Sequence, residues 1–168
     1  MKLFDSIPRF LAGAACTAFA LSLLSAPAHA QAGGTFAGLA GNWAGTGTIL
    51  VADGSSERIR CRGTYTVGAG GSTLQQTLRC ASDSYKFELS TDIHSSDGGN
   101  VSGLWSETTR NLNGTLEGRG SNGEFDVLVS ANGFAAELNL KVSGARQTIA
   151  ISSKNTDLRG LNISLTRS

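Results

Sequence analysis

The sequence predicts an all-β protein: an antiparallel up-and-down barrel of roughly 8–10 short strands, with a β-sandwich as the alternative. Three observations carry that expectation. From residue 42 onward, apolar and polar residues alternate with a period of two, and no stretch there has helical periodicity. Turn chemistry interrupts the alternation at short intervals, at Asp53-Gly54, Gly70-Gly71, Asp97-Gly98-Gly99, Asn122-Gly123, Asn132-Gly133 and Ser143-Gly144. The third observation is one hairpin register that aligns an apolar face and two cysteines together. Ile59, Cys61, Gly63, Tyr65 and Val67 alternate with Arg58, Arg60, Arg62, Thr64 and Thr66. Beyond the turn at Gly68–Ser72, Leu74, Gln76, Leu78 and Cys80 alternate with Gln75, Thr77 and Arg79. With Val67 opposite Leu74, Tyr65 meets Gln76, Gly63 meets Leu78, and Cys61 meets Cys80. A slip of one residue destroys both alignments.

Residues 1–30 read as a signal peptide. Lys2 and Arg9 supply a basic start, Phe10 to Leu24 an apolar run, and Ala28-His29-Ala30 a cleavage site, so the mature chain is expected to begin at Gln31. The apolar run falls short of the roughly 20 residues that span a membrane. Cys16 lies inside this run without a lipoprotein context, and it leaves with His29. Residues 31–168 are then expected to form a single domain in the periplasm or outside the cell. Two cysteines exported to an oxidising compartment predict a Cys61–Cys80 disulfide, structural rather than catalytic, because no C-x-x-C spacing is present. Directly opposed cysteines imply a non-hydrogen-bonded pair, with Cα atoms about 4.5 Å apart.

The remaining elements follow in order. Gln31 to Leu39 reads as a loose, Gly-rich lead-in. Asn42 to Ala52 is the first strand. Strand four begins after the Asp83-Ser84 turn, with Tyr85, Phe87, Leu89 and Ile93 on one face; its register pairs Cys80 with Phe87, Leu78 with Leu89, and Arg79 with Glu88. Val101 to Thr109 carries Trp105, Asn111 to Gly114 reads as a turn, and Thr115 to Gly120 as a glycine-broken strand. Phe125, Val127 and Val129 alternate, as do Phe134, Ala136, Leu138, Leu140 and Val142. Gln147 to Ser152 follows, then a turn over Asn155 to Gly160, and Leu161, Ile163 and Leu165 close the chain. Barrel closure is favoured over a sandwich because it removes exposed strand edges. Glycines inside strands, such as Gly45, Gly63, Gly103 and Gly118, suit bends at barrel corners.

Charge excludes some functions. The whole chain has 14 Lys and Arg against 13 Asp and Glu, and removing Lys2, Arg9 and Asp5 with the leader leaves the two signs balanced. A nucleic-acid binder shows a strong basic excess, so no nucleic-acid partner is expected. An outer-membrane barrel would need an apolar lipid-facing band, whereas strand two offers Arg58, Arg60, Arg62 and Thr64 on its outer face. No catalytic residue, metal or cofactor is assigned. His94 stands beside a Ser-Asp-Gly turn without a G-x-S-x-G elbow or a spaced metal-ligating partner, and reads as a solvated strand-end histidine. Gly118 to Gly123 matches G-x-G-x-x-G, but within a hairpin rather than before a helix.

Gly41-Asn42-Trp43 at the head of the first strand resembles the G-x-W of lipocalins and related calycins, as do the chain's size and strand count. The resemblance implies a barrel in which a basic residue near the last strand, here Arg167 or Arg159, packs over Trp43. The second lipocalin motif, T-D-Y, is matched only by Thr91-Asp92-Ile93, and the cysteine pair differs from the common lipocalin bridge. The chain as a whole resembles small exported proteins of Gram-negative bacteria, a likeness that carries no activity with it.

Two places remain where a partner could bind. Tyr65 and Gln76 share the core-facing parity with Trp43 and Trp105, joined by Thr91 and Glu107. A barrel core with polar groups and glycines in place of side chains suits a small, partly apolar ligand. The plainer reading is a filled core with a Tyr65–Gln76 hydrogen bond. The second place is an arginine face, Arg58, Arg60 and Arg62, with Arg79 opposite Arg62. Glu88 is placed to pair with Arg79 and Asp83 with Arg58, leaving Arg60 and Arg62 for an anion or a protein partner. The leading expectation is a non-enzymatic exported barrel with an interior ligand. The alternative is an envelope protein-interaction or inhibitor-like module using the arginine face.

Overall fold

A computed structural model of the protein describes residues 33–154 and 156–168. The leader expected over residues 1–30, with Cys16 and His29, lies outside the described residues. Ten strands follow one another: β1 (Gly41–Val51), β2 (Ser56–Val67), β3 (Thr73–Ala81), β4 (Lys86–Ser95), β5 (Asn100–Glu107), β6 (Leu112–Ser121), β7 (Glu124–Ala131), β8 (Phe134–Ser143), β9 (Arg146–Ser153) and β10 (Leu158–Arg167). Each pairs antiparallel with its chain neighbours, and β10 pairs with β1, so the sheet closes into an up-and-down barrel rather than a sandwich. No described helix is long and apolar enough to cross a membrane.

The central hairpin takes the register its sequence demands. β2 and β3 pair Val67 with Leu74, Tyr65 with Gln76, Gly63 with Leu78 and Cys61 with Cys80. β3 and β4 pair Cys80 with Phe87, Leu78 with Leu89 and Arg79 with Glu88. Cys61 and Cys80 are bonded, with Cα atoms 4.1 Å apart. That lies nearer the ~4.5 Å of a non-hydrogen-bonded pair than the ~5.5 Å of a hydrogen-bonded one. The inward parity is kept around the barrel. On β1, β2, β3 and β10 it buries Trp43, Ile49, Ile59, Tyr65, Leu78, Ile163 and Leu165.

Some inward positions have no room for a side chain. A Cβ on Gly45 would lie 2.0 Å from the Ser164 carbonyl oxygen, and one on Gly114 1.8 Å from that of Ser130. The neighbouring strand crosses so closely at these points that only glycine fits, which is how the sheet turns its corners.

Two segments depart from the sequence reading. The lead-in is not loose: Phe36 and Leu39 are each 1% exposed. Phe36 stacks on Phe125 at 5.7 Å, and its N–H donates to the Gly71 carbonyl at 2.9 Å. Two large apolar side chains in a stretch of Gly, Ala and Thr suffice to anchor it, each contributing on the order of 1.5–3 kcal/mol on burial. The segment folds across one end of the barrel and plugs it. The turn expected over Asn111 to Gly114 lies earlier, and β6 already begins at Leu112. Glu107 sets that turn: its carboxylate accepts the N–H groups of Thr109 and Arg110, each at 2.9 Å.

Candidate functional site: the barrel interior and its polar row

Strand register brings three of the four expected interior residues into one line. Tyr65 stands opposite Gln76, Gln76 opposite Thr91, Thr91 opposite Trp105, and Trp105 opposite Gly114. Trp43 stands apart on β1, at the plugged end, its ring centroid 6.2 Å from that of Tyr65.

The two tryptophans are held by different bonds. The Trp43 indole N–H donates to the Leu39 carbonyl at 2.9 Å, tying the plug to the barrel wall. The Arg167 guanidinium lies 4.7 Å from the ring centroid and also donates to the Gly38 carbonyl. Of the two arginines proposed for this position, Arg167 occupies it. The Trp105 N–H is shared between the carbonyls of Thr115 and Ser130, each at 3.2 Å. The bare Cα of Gly114 gives the indole access to that wall, since a Cβ there would lie 2.8 Å from Trp105 Nε1.

The polar groups near the plug are unusual. Tyr65 is 2% exposed, and its hydroxyl has no hydrogen-bond partner in the protein. Burial pushes the phenol well above its ordinary pKa, and the nearby Gln147 side chain pulls it back a little, though no hydrogen bond joins the two. Tyr65 therefore keeps its proton, and its hydroxyl hydrogen is unused within the protein. Gln147 is 1% exposed, and both its amide nitrogen and its amide oxygen are unpartnered. Thr91 Oγ1 is unpartnered as well. Each such group costs roughly 1–3 kcal/mol when left unpaired. Gln147 escaped the sequence reading because it opens an ordinary strand; its inward parity with Ile149 and Ile151 was the available signal.

Glu107 has a different role from the one its parity suggests. Burial raises its pKa, but bonds from the Thr109 hydroxyl and from the N–H groups of Glu88, Thr109 and Arg110 outweigh that and leave it below the ordinary value. Arg110 adds a contact at 3.7 Å. The carboxylate is ionised and committed to the β5–β6 turn, not to the interior.

On the outer wall, Arg62 stands opposite Arg79, and Arg79 pairs with Glu88 at 2.7 Å. Asp83 does not pair with Arg58. The β3–β4 turn is instead held by Glu57, whose carboxylate accepts the Ser84 N–H at 3.0 Å. Among the described residues, Arg58, Arg60 and Arg62 enter no ion pair. His94 Nε2 lies 2.9 Å from Ser102 Oγ on the same outer wall. Its register neighbours are Thr73 and Ser102. Two grooves also lie on the outer wall rather than in the interior. One, of about 820 Å³, crosses β2–β6 over Thr64, Thr77, Ser90, Asp92, Leu104 and Asn113. The other, of about 450 Å³, crosses β7–β10 over Asp126, Asn139 and Lys141.

No protein-family model matches the sequence, and no curated protein matches it. Among solved structures, the chain is similar to the crystal structure of Rv2717c from M. tuberculosis, with a TM-score of 0.65 and 12% identity, over 79% of this chain and 94% of that one. At that identity the likeness is one of fold alone.

Proposed function

We propose that the protein is an exported, non-enzymatic binder that holds a small, partly apolar molecule inside the barrel. The observation that carries this reading is incomplete burial of side chains that face inward. Phe87, Leu89, Val127, Leu138 and Leu140 remain half-buried although the sheet around them is closed. Eight strands give an interior that side chains just fill, and ten give a wider one. The unpartnered groups of Tyr65, Thr91 and Gln147 supply what an apolar site needs to orient a ligand, a few placed polar atoms. The Trp43–Arg167 contact adds a lipocalin-like detail, and the Cys61–Cys80 bond fits the oxidising compartment that the leader implies.

Titration with Nile red, a neutral apolar dye, tests the reading. Saturable binding is expected, with a change in emission from the two tryptophans of the chain. Leu138→Trp fills the interior and should abolish binding at a stability cost of about 1–3 kcal/mol. Absence of saturable binding, or full binding by a folded Leu138→Trp variant, overturns the reading.

The unpaired state of Arg60 and Arg62 favours a second reading, a docking surface for an acidic protein. Capture of such a partner from periplasmic extract should weaken at raised salt, since exposed charges are screened over about 8 Å at physiological ionic strength. Arg60→Ala with Arg62→Ala should remove it. Equal capture by the double variant would leave this face merely solvated.

A further inference from the structure

Resting on the interior-binding reading, we infer that the site selects a ligand with a neutral hydrogen-bonding head group, an amide or an alcohol, and seats that group between Tyr65 and Gln147 at the plugged end. Three observations converge. The first is the donor and acceptor set. Tyr65 Oη, Gln147 Nε2 and Gln147 Oε1 are all buried and unpartnered, so the seat offers donors and an acceptor together. A primary amide or a hydroxyl both donates and accepts, and can satisfy both residues at once.

The second observation is the distribution of charge. Every lysine and arginine among the described residues is exposed. A carboxylate drawn into the interior would lose its hydration and meet no cation. The one buried carboxylate among the described residues, Glu107, is already taken up by Thr109, Glu88 and Arg110, and so offers nothing to an ammonium group. Both signs of charge are therefore disfavoured, and a neutral polar head is what remains.

The third is the surroundings of the seat. Gln147 stands opposite Val142 on one side and Leu165 on the other. Trp43 lies against Tyr65. Val142 and Leu140 on β8 are half-buried and pack against the core beside the seat. A head group at the seat would leave an apolar tail running along β8 between Leu140 and Leu138.

Competition against bound Nile red separates the outcomes. Decanamide, 1-decanol, decanoate and decylammonium share one tail and differ in the head. The amide and the alcohol should displace the dye at concentrations at least about tenfold lower than either ion, a difference equivalent to ~1.4 kcal/mol. Gln147→Leu and, separately, Tyr65→Phe should weaken displacement by the amide and the alcohol several-fold while retaining dye binding and leaving the two ions as poor as before, because each nearly keeps the shape and removes polar atoms of the seat. Equal displacement by decanoate, or undiminished displacement by the amide and the alcohol in both variants, overturns the inference and leaves interior binding standing. Failure of Nile red to bind the wild type removes both.

Discussion

Replacing Trp43 with alanine should lower the unfolding free energy by about 3–5 kcal/mol, the range for truncating a large buried aromatic side chain. The indole is 1% exposed, and its loss opens a space beside Tyr65 and Leu39. The truncation also strands the Leu39 carbonyl, which accepts the indole N–H. Arg167 covers the ring from an exposed position, so Arg167→Ala should cost much less, about 0.5–1 kcal/mol for the cation–π contact. Urea denaturation of the two variants checks both the size and the order. A Trp43→Ala loss below about 1 kcal/mol would mean that the plug is not anchored through this residue.

Cys61→Ala should destabilise the protein by about 2–4 kcal/mol. The bond joins residues 19 positions apart, a loop whose closure in the unfolded chain carries about 3 kcal/mol in the chain-entropy account. Both cysteines are buried, at 1% and 2% exposure, so the lone Cys80 thiol would sit in an apolar wall rather than in water. Reduced wild-type protein should unfold at nearly the same denaturant concentration as the variant, and intact-mass analysis should find no free thiol in the oxidised form. An oxidised wild type no more stable than Cys61→Ala would show that the cross-link carries none of the stability.

The register of the β2–β3–β4 meander was legible because side-chain parity, turn placement and cysteine pairing all depend on the same alignment. The line of Tyr65, Gln76 and Thr91 followed from it, as did the Arg62–Arg79 juxtaposition. What escaped the sequence depended on groups meeting across the barrel rather than along it. Phe36 and Leu39 carry no alternation, and only the Phe125 ring and the Trp43 indole give them a place. Gln147 becomes unusual only when Tyr65 arrives beside it without a bond. Glu57 lies on β2, 27 positions from Ser84, so the residues around the β3–β4 turn do not say which carboxylate the Ser84 amide will choose. The β5–β6 turn is the exception and moved for a local reason, a side chain reaching forward to its own turn's amides.

The seam between β1 and β10 joins the two ends of the described chain. Arg167 and Gly38, bonded across it, are 129 positions apart. Every other strand pair in the barrel links sequence neighbours and can form as a local hairpin. The seam alone requires the whole meander to curl round first, so its loop-closure entropy is met late and its contacts are slow to arrive. β1 therefore takes β2 as a partner early and β10 last. Until β10 is available, the free edge of β1 stands open to other chains, and that interval is when the protein is most exposed to aggregation.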